Sequence, residues 1–159
     1  MRILLHKRSN TQHALEIVRE PDGGERECME CETRSYLTHD LLHYAVETEA
    51  GLESGFWGNL ARGKTLAQMN DRTGRALAAE APELMAIERV VGALTGVIKG
   101  RAAAEIVAAL REYEAALGEA ESAWLSETLI VAVQERMRRL LGHWSATPFG
   151  ASMELRWPA

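Results

Sequence analysis

The last few residues of the chain limit its fold more than any other segment. Met153, Leu155 and Trp157 alternate with Ser152, Glu154 and Arg156, and Pro158 closes the run. Alternation with period two marks a strand that has one face in a core and the other in water. A lone strand is not stable, so this one must join a sheet. Partners are available only at the opposite end of the chain. Arg2–Lys7, residues 13–19 (with Leu15 and Ile17 on one face) and Arg26–Glu32 all read as strands. Pro21-Asp22-Gly23-Gly24 reads as a turn between the last two, because proline presets φ and glycine accepts positive φ. The two ends of the chain are therefore expected to meet in one small antiparallel sheet.

Everything between these strands carries helical signals. Residues 36–49 have a wide apolar arc formed by Leu37, Leu41, Leu42, Tyr44, Ala45 and Val46. Phe56, Trp57, Leu60 and Ala61 follow helical spacing up to Gly63, and Thr65-x-x-Gln68 has the form of a capping box. Pro82 opens a longer helix to about residue 99, Gly100 and Gly118 bound another over 102–117, and Ser122 or a neighbour opens the last, over 123–141, with Gly142 beyond its end. The expected fold is α+β: a small antiparallel sheet from the N-terminal strands plus a C-terminal strand, packed against an antiparallel helical layer. With 159 residues, the chain 1–159 is expected to form a single domain.

One polar stripe stands out. At about 100° per residue, His39, His43, Glu47, Asp40 and Tyr36 fall within an arc about 100° wide. Two imidazoles four residues apart lie on one face about 5–6 Å apart at Cβ, close enough to share a cation. That is the spacing zinc proteases use in H-E-x-x-H, here with Asp40 in place of the glutamate. The stripe proposes His39, His43 and Glu47 as ligands for zinc or another divalent metal, with Asp40 orienting an imidazole from behind; a carboxylate from another helix is the alternative third ligand, with Glu80, Glu83 and Glu88 available.

The run ETRSYLTHDLLHYAVETEAGLESGFWGNLARG, residues 32–63, resembles a family of small bacterial proteins without assigned activity, in which a His-Asp-Leu-x-His helix precedes a Gly-Phe-Trp-Gly segment. Separately, His39-Asp40-Leu41-Leu42-His43 is similar to the HDxxH zinc motif of the ubiquinone-biosynthesis proteins, a resemblance that implies zinc at this pair. That family places a glutamate twelve residues after the second histidine, where this chain has Gly55.

Other signals carry less. Cys28-x-x-Cys31 followed by His39 and His43 imitates a zinc-finger ligand set, but in a strand, residues three apart point to opposite faces. Residues 58–65 match G-x4-G-K-T letter for letter, yet that loop needs a preceding strand, and residues 56–61 read as helix. A formal charge of −5 opposes a nucleic-acid surface or an anionic membrane surface, and no apolar run approaches the ~20 residues that cross a bilayer. The N-terminus lacks the apolar core of a secretory signal, so a cytoplasmic location is expected. A pair of histidines without a visible base is thin ground for catalysis, which favours a non-catalytic interaction or structural module that pairs with a second copy as a homodimer through an exposed apolar helix face. The alternative is a metal-binding protein or metal-dependent hydrolase or lyase built on the His39/His43 pair.

Overall fold

A computed structural model describes residues 1–19, 24–70, 81–95 and 100–158. The chain runs β1 (Arg2–Lys7), β2 (Gln12–Val18), β3 (Arg26–Glu32), α1 (Thr33–Ala50), α2 (Phe56–Ala61), α3 (Leu66–Met69), α4 (Ala81–Leu94), α5 (Ala103–Ala116), α6 (Glu127–Ala146) and β4 (Ser152–Arg156). The expected α+β fold is present. Pro21, Asp22 and Gly23 of the expected turn, Glu80, and the end of the helix expected to reach residue 99 lie outside the described residues.

The sheet is antiparallel in the order β3-β2-β1-β4, so the C-terminal strand adds to the edge of β1. Register follows the apolar alternation. Ile3 faces Ile17 on one side and Leu155 on the other, and Leu5 faces Leu15 and Met153. A slip of one residue would turn this whole set toward water, so burial of one face holds the register. The two ends of the chain are tied directly: the Met1 amino group donates to the Trp157 carbonyl at 2.8 Å, and the Trp157 N–H donates to the Met1 carbonyl at 2.9 Å.

Helix α1 is the centre of the molecule. It follows β3 without a loop and packs against β3, α2, α4 and α6. Nine of its residues are buried, including the polar Asp40, His43 and Glu47. Gly51, at φ 64°, ends the helix in the left-handed conformation that a side chain disfavours. The capping box at Thr65 and Gln68 is formed in both directions.

Two boundaries differ from expectation. Ser122 does not open the last helix. Its N–H and hydroxyl both donate to the buried carboxylate of Glu114, and Ser126 caps α6 instead by accepting the Leu129 N–H at 3.2 Å. Nor does Gly142 end that helix, which continues to Ala146 because Leu140 and Trp144 bury their side chains on the same face. Tertiary burial outweighs the cost of an interior glycine, about 1 kcal/mol.

Candidate metal centre

Glu47 organises the site. Its side chain is fully buried, one turn beyond His43 on α1, where an unpaired carboxylate would be costly. Four donors converge on it. Phe56 N–H (2.8 Å) and His43 Nδ1 (3.1 Å) meet Oε1, while Trp57 N–H (3.0 Å) and Gly58 N–H (3.3 Å) meet Oε2. The three backbone groups are the open N–H groups of the first turn of α2, which no residue of the preceding loop caps. The His-Asp-Leu-x-His helix and the Gly-Phe-Trp-Gly segment thus form one structural unit, joined through Glu47.

Both glycines of that segment are there for lack of space. A Cβ at position 55 would lie 2.6 Å from Glu47 Oε1 and closer still to the rest of the carboxylate, and one at position 58 would overlap the Glu53 carbonyl. Between them, Trp57 is nearly fully buried, and its indole N–H donates to the Asp40 carbonyl at 3.1 Å.

On the other side of His43, its Nε2 is buried and has no hydrogen-bond partner. It faces Oε1 of Glu88 on α4 at 3.3 Å, a distance suited to an ion pair but out of line for a hydrogen bond. His39 Nε2 lies 3.7 Å from the other Glu88 oxygen, and the two imidazole centroids are 4.7 Å apart. Among the described residues, His39, His43 and Glu88 form the trio whose ligand atoms all lie within 4.8 Å of one another. A tetrahedral centre with bonds of about 2.0–2.1 Å holds its ligand atoms about 3.3–3.5 Å apart, so small side-chain shifts would suffice.

The sequence-derived set is thus partly brought together. His39 and His43 converge as expected. Glu47, expected as the third ligand, sits behind the His43 ring, and its oxygens are taken up by backbone N–H groups. Asp40 lies 3.7 Å from His39 Nδ1, an ion-pair contact on the side away from Glu88. Glu88 takes the place expected for Glu47. Its only signal in the sequence is its position at the margin of α4's apolar face, next to Ile87 and one turn from Leu84 and Val91. Cys28 is exposed and Cys31 buried, both free, as strand alternation requires.

Burial opposes charge on His43, but Glu47 and Glu88 outweigh it and raise its pKa to about 9. Burial also pushes the Glu47 carboxyl up, against the pull of the imidazolium and the α2 N–H groups. For Glu88 the burial effect is overcome by His43 and His39, which hold it below the usual range. A histidine raised from 6.5 to about 9 contributes stability that is complete below pH 6.5 and is lost as pH rises through 9. Metal-free protein is therefore expected to lose on the order of 2–3 kcal/mol between pH 6.5 and 8.5. Urea melts across that range would show it, and His43→Gln should flatten the slope. An equal slope in the variant would assign it elsewhere.

Compared with protein-family models, curated proteins and solved structures, the chain matches none.

Proposed function

We propose that this protein binds a divalent transition-metal ion, zinc by preference, through His39, His43 and Glu88. One observation carries the reading: the buried His43 Nε2 faces a Glu88 carboxylate at 3.3 Å, and the ligand atoms of His39, His43 and Glu88 all lie within 4.8 Å of one another. A bound cation would displace the proton between Nε2 and Glu88 and take both groups, with His39, as ligands. Two nitrogens and one oxygen suit zinc and its neighbours in the first transition row, whereas calcium and magnesium prefer oxygen throughout.

The side chains of His39 and Glu88 are each 38% exposed, so an ion held there would keep a position open to water. An open position is the mark of a reactive centre rather than a closed structural one. This supports the metal-dependent hydrolase or lyase reading over the interaction module, in which the trio would serve only as ion pairs between α1 and α4. An ion held by His39, His43 and Glu88 would supply activation of water for hydrolysis or elimination, lowering the pKa of a bound water to about 7.

The expected result is one zinc per chain in metal analysis of protein purified without chelator. At zinc 100-fold above its dissociation constant, the gain is about 2.7 kcal/mol, or roughly 5–10 °C in melting temperature. His39→Ala and Glu88→Gln should abolish the shift; the metal-free melt should stay within about 1 kcal/mol of the parent for His39→Ala, whereas Glu88→Gln also removes a counter-charge of buried His43 and should cost about 1–2 kcal/mol more. Neither metal nor shift in the parent, or an unchanged shift in both variants, would end the proposal.

A further inference from the structure

Four donors around one carboxylate leave little freedom in how His43 carries its protons. The N–H groups of Phe56, Trp57 and Gly58 can only donate, so both Glu47 oxygens must accept. Nδ1, at 3.1 Å from Oε1, is then the donor of the fourth bond. The ring nitrogen left for other chemistry is Nε2, the one aimed at His39 and Glu88.

The same carboxylate also holds the start of α2. It accepts from the first three residues of that helix, and Gly55 gives it room that any Cβ would remove. Among the described residues, Glu47 supplies the side-chain cap of this turn, and the N-cap position, Gly55, supplies none. The ring orientation of His43 and the seating of residues 55–58 therefore depend on one group. A cation on Nε2 draws electron density from the ring, makes the Nδ1 proton more acidic and strengthens its bond to Glu47. Conversely, a Glu47 held by α2 keeps the neutral ring's remaining proton on Nδ1, so that a cation displaces only the proton at Nε2.

We propose that Glu47 is the positioning residue of the metal centre: it presents His43 through Nε2 and couples occupancy of that centre to the docking of the Gly55–Gly58 segment on α1. The inference rests on the metal-binding reading above and adds to it a regulatory link. By reciprocity of binding free energies, anything that lifts α2 from Glu47 weakens the ion, and the ion tightens α2.

The test starts with the parent protein and zinc chloride. Long-range proton–nitrogen NMR of the histidine rings should show His43 protonated at Nδ1 and metallated at Nε2. Hydrogen exchange at the amides of Phe56, Trp57 and Gly58 should slow at least tenfold more than at amides of α5, which packs on α4 and α6. Glu47→Gln gives a second readout. A glutamine cannot accept from the backbone donors and from Nδ1 with both of its side-chain atoms, because one is itself a donor. When that NH2 faces Nδ1, the ring proton moves to Nε2 and blocks the metal. The variant should bind zinc about 10–100-fold more weakly, with an altered visible spectrum of the cobalt-substituted form. Zinc on Nδ1, unmoved α2 amides, or parental affinity and cobalt spectrum in the variant would each overturn the inference while leaving the metal site standing. If the parent shifts no histidine nitrogen when zinc is added, both fall together. Where Glu47→Gln fails to fold, the measurements on the parent decide alone.

Discussion

Replacing Trp57 with alanine should destabilise the protein by about 3–5 kcal/mol, the range for truncating a fully buried aromatic side chain. For a chain of this size that is a drop of roughly 10–15 °C in melting temperature. Trp57 is 1% exposed and meets Phe56 edge-on at 5.0 Å between centroids and Tyr44 at 6.4 Å. Tyr44 in turn packs against Trp157 at 6.1 Å and donates to the Arg156 carbonyl, so the cavity would open between α2, α1 and the C-terminal strand. Trp57→Phe separates the contributions. It keeps most of the packing but loses the bond from the indole N–H to the Asp40 carbonyl, and should cost about 1–2 kcal/mol more than zero. Equilibrium urea unfolding measures both. A loss below about 1 kcal/mol for Trp57→Ala would mean that α2 does not pack on α1 in solution.

The second large effect is expected for Glu47→Ala. Breaking a buried ion pair by removing one partner typically costs about 3–5 kcal/mol, because the remaining charge is left uncompensated. Here the loss also strips the partner from three backbone N–H groups in a region that water reaches poorly. The magnitude should therefore lie at the upper end of that range. Pairing it with His43→Ala in a double-mutant cycle isolates the contact between them. A coupling of at least about 1 kcal/mol is expected for groups in direct contact, and strict additivity would show that the two side chains act independently. Metal-free protein is the right material, since zinc would mask the imidazole.

Much of this architecture could be read in advance because its causes are local. The period-two run at Ser152–Arg156 and the apolar alternation of β1 and β2 are properties of short segments, and their pairing follows from the need to bury one face. The capping box at Thr65 depends only on two residues three apart. His39 and His43 share a face because helix geometry alone puts them there. The misplaced boundaries have equally definite causes. Ser122 looks like a helix cap until Glu114, eight residues earlier, takes its donors. Gly142 looks like a stop until Trp144, two residues later, proves to be core.

The divided roles of the two glutamates mark the line between local and long-range causes. Helical spacing put Glu47 beside His43, and that neighbourhood is real, but spacing cannot say which ring nitrogen a carboxylate faces. That depended on whether donors from outside the helix claimed its oxygens, and residues 56–58 did. Glu88 is 45 positions along the chain from His43, and nothing in α4 alone distinguishes it from any other charge at a helix margin. Periodicity and turn chemistry, which act over a few residues, determined the strands, most helices and the imidazole pair. Packing of α4 against α1 and docking of α2 under Glu47 decided which acid meets the open nitrogen, because contacts between distant segments exist only once the core has closed around them.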